Sequence, residues 1–243
     1  MTESLLLGPS LGTSTTLWSK VPALLSGDVA AWGYDIPGHG TQKPATTPLT
    51  AAALADQVVE IADGLGLDTF HFAGVSISGA VGLELALRHP GRLHTLTVIC
   101  SNAKIGDADG WHDRAAQVRA QGTPSLVDGS ARRWFADGFL ARDPASGGRL
   151  LGELSDADDE SYALLCEMLA DFDVRDRLGE ITVPTLVLAG EFDEVVTPGD
   201  ARATADRVPG GAFTEIADAA HLAPIEQPAA VADALTDFIG GNS

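Results

Sequence analysis

The sequence is poor in cysteine and in positive charge, and it contains no long apolar run. Its two cysteines, Cys100 and Cys166, stand far apart without metal-ligand spacing. That suits reduced thiols in a reducing cytoplasm, and no cluster of metal-ligating residues is evident. Lys and Arg number 15 against 34 Asp and Glu, a formal net charge of −19, which argues against nucleic acid and against anionic membrane surfaces as partners. An anionic substrate would therefore need a locally positive pocket. No stretch approaches the ~20 apolar residues that span a bilayer. The first residues also lack the basic start and long apolar segment of a signal peptide, so a cytoplasmic chain is expected. Neither an internal repeat nor a low-complexity linker divides it.

What is present is a core. Hydrophobic residues make up 45% of 243 residues, enough for one α/β domain with an insertion, burying roughly 70% or more of its unfolded surface. Apolar strands are expected at Leu5 to Leu7, Val29 to Tyr34, Phe70 to Val75, Leu93 to Cys100, Thr185 to Ala189 and Ala212 to Ile216. Helices are expected around Trp18 to Leu25, at Ala51 to Leu65 capped by Thr50, at Ile77 to Arg88 and at Ala201 to Val208. The closing helix has Pro228 near its start and runs to Ile239. Strands alternating with helices predict a mostly parallel sheet covered on both faces.

Between Ser101 and about Leu178 the pattern turns helical and charged, with no strand. Helices are expected at Trp111 to Gln121, Ser130 to Leu140, Arg149 to Leu154 and Asp159 to Asp171. The organisation predicted is a core formed by residues 1–103 and 179–243, with 104–178 laid over the carboxyl edge of the sheet as a helical cap.

The chain turns on Gly74-Val75-Ser76-Ile77-Ser78-Gly79. An apolar strand ends at a serine and passes without a linker into a helix, which forces a tight elbow in which small flanking residues let helix and strand approach. Gly-x-Ser-x-Gly is a nucleophile elbow, although its last position here is Ser78, followed by Gly79. A Ser/Gly-rich strand-to-helix turn of any doubly wound fold is the alternative. Downstream residues weigh on the choice, because functional groups in open parallel sheets gather beyond the carboxyl ends of the strands. Gly190-Glu191-Phe192-Asp193 follows one such strand, and Asp218-Ala219-Ala220-His221 follows another. The order Ser76, Asp193, His221 is that of a nucleophile, acid and base triad. Glu191 and Glu194 compete with Asp193, and His39, also at a strand end, competes with His221. Donors for a developing oxyanion, worth roughly 3–4 kcal/mol each, are expected from the backbone N–H groups of Leu11 and Ile77.

With these residues the chain resembles an α/β-hydrolase over nearly its full length, and within that superfamily the 3-oxoadipate enol-lactonases. The resemblance rests on Ser10-Leu11-Gly12-Thr13, the elbow, Arg133-Trp134-Phe135 in the cap, and Ala220-His221-Leu222-Ala223-Pro224-Ile225-Glu226-Gln227-Pro228. It implies a serine hydrolase of aromatic catabolism that needs no metal or organic cofactor. Its partner would be a small anionic lactone, with Arg133 receiving the carboxylate and Trp134 walling the ring; the alternative leaves Arg132 and Arg133 solvated and Trp134 in the cap core. Other small-ester or carbon–carbon bond hydrolases share the triad, and the same fold can serve as a small-molecule receptor. Oligomeric state is left open. Pro37 stands where relatives often have Arg in Asp-x-Arg-Gly-His-Gly. The chain starts almost at the oxyanion strand, so the strands that usually precede it are expected to be missing, and no fused decarboxylase domain is expected.

Overall fold

A computed structural model describes residues 3–26 and 28–242. Six strands form one sheet: β1 (Glu3–Gly8), β2 (Val29–Gly33), β3 (Phe70–Val75), β4 (Leu93–Ile99), β5 (Thr185–Gly190) and β6 (Ala212–Ile216). Every neighbouring pair is parallel, in the order β2-β1-β3-β4-β5-β6. Strands buried on both faces carry continuous apolar runs. Leu5, Leu6 and Leu7 of β1 and all six residues of β3 are buried accordingly. The helices α1 (Ala51–Gly64), α2 (Ile77–Arg88), α8 (Pro198–Arg207) and α10 (Pro228–Gly240) flank this sheet. In α1, Thr50 accepts a hydrogen bond from the Ala53 N–H, and Leu54, Ala55, Val58 and Ala62 are buried.

The chain leaves β1 toward β2 on one side and returns to β3 on the other. The strand order therefore reverses between β1 and β3, and a crevice opens beyond their carboxyl ends. Five helices lie between β4 and β5: α3 (Ala108–Gln121), α4 (Val127–Trp134), α5 (Phe139–Arg142), α6 (Pro144–Asp156) and α7 (Asp159–Asp171). They close over the crevice through specific contacts. The Asp158 N–H donates to the Gly38 carbonyl at 2.9 Å, the Ser14 N–H to Glu153 at 3.1 Å, and the Leu222 N–H to the Trp134 carbonyl at 3.1 Å. No helix among the described residues is long and apolar enough to cross a membrane.

Several expected boundaries move. The helix around Trp18 to Leu25 is instead two 3₁₀ turns, Thr15–Trp18 and Pro22–Leu24. Pro22 has no N–H for a helical bond, and the bonds made are the tighter Val21-to-Trp18 and Leu24-to-Val21 pairs. The expected Ser130 to Leu140 helix breaks into α4 and α5. Phe135 is extended and Gly138 left-handed (φ 82°), and the Ala136 N–H is taken by Glu226 at 2.7 Å. The Arg149 to Leu154 helix starts earlier, because Asp143 caps it with Pro144 in the first turn, and it runs on to Asp156. Asp107 likewise starts α3 before Trp111. Thr197 with Pro198 starts α8 before Ala201. A four-residue helix α9 (Ala223–Glu226) also forms between His221 and α10, where the sequence pattern predicts none.

Candidate active site

Ser76 sits between β3 and α2 with φ 54° and ψ −116°, a conformation that costs a non-glycine residue roughly 1–3 kcal/mol and persists only where its surroundings enforce it. They do so here. The Ser76 N–H donates to the Ile99 carbonyl at 2.9 Å. A Cβ on Gly74 would run into the Ser78 carbonyl, so the helix lies against its own strand. The Ser76 side chain makes no capping bond to α2, which keeps the hydroxyl free of the helix. Ser78, the departure from the usual Gly, donates its hydroxyl to the Pro9 carbonyl at 2.6 Å. It thereby ties the elbow helix to the loop after β1.

The histidine and the acid meet at the ends of the last two strands. His221 Nδ1 lies 2.9 Å from Asp193 Oδ2, both side chains buried. The other carboxylate oxygen, Oδ1, accepts the Val195 and Val196 N–H groups at 2.8 and 3.1 Å. A carboxylate held on both oxygens presents one fixed acceptor to the imidazole, and so selects the tautomer with its proton on Nδ1. Of the competing acids, Glu191 accepts the Asp218 N–H at 3.1 Å and Glu194 lines the cavity without bonding His221.

The loop after β1 is a turn closed by Ser10 and Thr13. The Thr13 N–H and hydroxyl both donate to the Ser10 carbonyl, at 3.0 and 2.9 Å. Leu11 lies inside this turn, and Ile77 opens α2, where an N–H has no acceptor in its own helix. His39 sits beneath the turn. Its Nε2 accepts the Gly12 N–H at 3.0 Å, and its Nδ1 lies 2.9 Å from the Pro37 carbonyl. A carbonyl only accepts, so Nδ1 carries the proton and Nε2 is free to accept. Burial holds this imidazole below its usual range and so in the neutral form. Gly12 has φ 85°, and a Cβ there would come within 2.6 Å of Leu154, so helix α6 packs directly on the turn.

A cavity of about 280 Å³ joins these parts. Ser10, Leu11, Ser76 and His221 line it from the sheet, and Trp111, Arg114, Arg133, Trp134 and Tyr162 line it from the helical segment. Trp134 is buried, so its ring belongs to the core as well as to the wall. Arg133 lies on the solvent side, while Arg114 is more deeply set. No group of three or more His, Cys, Asp and Glu among the described residues is arranged to hold a metal ion.

A model of the alpha/beta hydrolase family matches residues 5–234. The chain belongs to that family. The hydrolase is 35% identical to 3-oxoadipate enol-lactonase 1 of Acinetobacter baylyi over 95% of its own length and 86% of that protein's. Its fold superposes on the crystal structure of the enol-lactonase from Burkholderia xenovorans LB400 with a TM-score of 0.95 and 31% identity, covering 99% of this chain and 92% of that one. A malate-bound thermophilic esterase from Thermogutta terrifontis gives a TM-score of 0.93 and 25% identity, over 99% and 91% of the two chains.

Three residues of this hydrolase's site escape a sequence reading. His39 is weighed there only as a rival base, yet it braces the turn that carries Leu11. Arg114 carries no motif and reaches the cavity from α3. Glu226, buried, accepts the Ala136 and Ala220 N–H groups at 2.7 and 2.8 Å. It thus joins the break between α4 and α5 to the loop of His221. Burial raises its carboxyl above the ordinary range. The Asp143-Pro144 and Thr197-Pro198 helix starts were legible as capping signals, whereas these three depend on contacts between distant segments.

Proposed function

We propose that the hydrolase opens a small anionic enol-lactone, with 3-oxoadipate enol-lactone as the substrate and 3-oxoadipate as the product. The observation that carries this reading is a single cavity lined by Ser76 and His221 on one wall and by two arginines without acidic partners on another. The similarity to enol-lactonases supports it.

In the proposed mechanism, His221 takes the proton of the Ser76 hydroxyl while Asp193 stabilises the imidazolium. Ser76 Oγ attacks the lactone carbonyl, and the N–H groups of Leu11 and Ile77 receive the oxyanion. The tetrahedral intermediate collapses by breaking the ring C–O bond. The leaving oxygen departs as an enolate, is protonated by the imidazolium of His221 and relaxes to the ketone. Water, deprotonated by His221, then attacks the acyl-enzyme and releases Ser76 and the second carboxylate. Arg133 holds the substrate's existing carboxylate, and Trp134 lies along the ring.

The test is steady-state hydrolysis of the enol-lactone beside neutral aryl esters, with Ser76→Ala as the control. The expected result is kcat/KM at least about tenfold higher for the enol-lactone, and no turnover of either substrate by the variant. Equal rates on both substrates in the wild type would refute enol-lactone specificity. Activity in Ser76→Ala within tenfold of wild type would move the nucleophile elsewhere.

A further inference from the structure

Two guanidinium groups face the cavity, from α3 and from α4, in a chain with 34 acidic residues. Arg88, Arg92, Arg119, Arg175, Arg177 and Arg207 each sit against a carboxylate. Among the described residues Arg114, Arg132, Arg133, Arg142, Arg149 and Arg202 form no ion pair, and of these Arg114 and Arg133 are the two that line the cavity. The two acids that line the cavity do not serve them: Asp107 accepts the Gly110 N–H at 2.8 Å to cap α3, and Glu194 makes no ion pair with either arginine. The two arginines instead repel one another, and the charge of Arg114, after burial itself, depresses the pKa of Arg133.

Arg114 is the more unusual of the pair. Its guanidinium carbon lies 5.8 Å from the Trp111 ring centre and 5.9 Å from that of Tyr162. Trp111 is itself fixed by donating its indole N–H to the Ile105 carbonyl at 2.6 Å. Those rings account for where the group is held, and the Tyr162 hydroxyl also shares a hydrogen bond with it. Nη2 reaches the Ser130 hydroxyl at 3.5 Å, the outer limit of a hydrogen bond, and no carboxylate meets the group. Nε is buried with no partner at all. A buried donor on a charged group is rarely left unmade, because it forfeits its hydration without recompense. With Nε closed off by packing, the two terminal nitrogens form the edge of the guanidinium that can meet a carboxylate's two oxygens from the cavity.

The structure assigns to Arg114 the principal carboxylate contact of this cavity, in a two-arginine anion site that Arg133 completes from the solvent side. The ligand class is a short acyl chain bearing a free carboxylate remote from the scissile carbonyl. This rests on the ester- or lactone-cleaving reading above, but not on the identity of the lactone. Arg114 thereby becomes a specificity-determining residue: the anion it binds is the part of the substrate that does not react.

The experiment uses the full chain and a matched pair of substrates, para-nitrophenyl hemisuccinate (anionic) and para-nitrophenyl butyrate (neutral and of similar length). One charge-assisted contact corresponds to about 10- to 150-fold. Arg114→Met is expected to lose that much kcat/KM on the hemisuccinate and less than about threefold on the butyrate. Arg133→Met should show the same selectivity with a smaller loss. Arg114→Lys keeps the charge without the fork and should fall between Arg114→Met and wild type. Succinate and succinamide, tested as competitive inhibitors of the unmodified protein, give an independent reading should Arg114→Met fail to fold: succinate is expected to bind at least about tenfold more tightly. Equal losses on both esters, no loss on either, or equal inhibition by the two acyl compounds would overturn the assignment. Wild type that prefers hemisuccinate but ignores the enol-lactone would support the anion site while refuting the lactone named above.

Discussion

Replacing His39 tests whether the turn carrying Leu11, the proposed oxyanion donor, is held from beneath. The imidazole is 2% exposed and makes two bonds, accepting the Gly12 N–H at 3.0 Å and facing the Pro37 carbonyl at 2.9 Å. It also stacks on Tyr162, with ring centres 6.0 Å apart. His39→Leu fills a similar space but strands a buried donor and a buried acceptor, each costing about 1–3 kcal/mol. Part of that cost is relieved by movement of the turn, which carries the Leu11 N–H away from the position proposed for the oxyanion. Complete loss of one such donor costs roughly 2.7–4 kcal/mol of transition-state stabilisation, so partial displacement should lower kcat by about 10- to 100-fold with KM nearly unchanged. His39→Gln restores an acceptor close to the Nε2 position and should recover kcat to within about fivefold of wild type, a rescue that a merely space-filling residue would not show. The pH dependence has a definite sign. The groups facing His39 are Asp35, Asp158 and Tyr162; burial lowers its pKa by more than the Pro37 carbonyl and the two carboxylates raise it. The folded pKa is thus below the unfolded value of 6.5. Its contribution to stability is complete above that value and is lost as pH falls through the folded pKa. Protonation would also turn Nε2 into a donor facing the Gly12 donor. Steady-state kinetics on para-nitrophenyl butyrate, with thermal melting across pH, provide the assay. A His39→Leu protein that melts lower yet keeps kcat within twofold would refute the link between this histidine and the oxyanion turn.

Asp193→Asn should leave the fold intact, because the amide oxygen can still accept the Val195 and Val196 N–H groups. Its NH₂ would then face His221 Nδ1 and select the wrong tautomer, lowering kcat by up to ~10⁴-fold by analogy with the serine-protease case; a greater loss from Glu191→Gln would reassign the acid. Glu226→Ala removes acceptors from the Ala136 and Ala220 N–H groups together and should destabilise by roughly 2–5 kcal/mol. Denaturant unfolding measures this, and a change below about 1 kcal/mol would mean that water replaces the carboxylate. The same variant should lower kcat, since Ala220 adjoins His221; unchanged kcat in a destabilised protein would separate the two roles.

How far the chain explains itself depends on the distance over which each feature is specified. The elbow is local: a six-residue apolar strand, one serine and an uninterrupted helix leave Ser76 only a strained turn, so its position between β3 and α2 was readable from neighbouring residues. The parallel sheet follows similarly from alternating apolar runs, whereas the alpha/beta hydrolase fold was implied by the resemblance that the elbow and the later motifs carry. The order of Asp193 and His221 behind their strands was also legible, but their 2.9 Å contact exists only because β5 and β6 are neighbours in the sheet. Arg133 stood out because it sits beside Trp134 in a recognisable stretch. Arg114 did not, because nothing within α3 shows that its Nε is buried and unpartnered; that results from packing α3 against α7 and Tyr162. His39 and Glu226 are determined in the same way. Each bonds to backbone groups from segments remote in the chain, 27 residues away for Gly12 and 90 for Ala136. A backbone N–H is common to every residue but proline and leaves no mark in the sequence. The sequence by itself determined the sheet, the elbow and the order of the reactive groups, since those are set by short-range periodicity and chain direction. Which donors remain unmet, and which buried side chains meet them, was decided only when the tertiary structure brought those segments together.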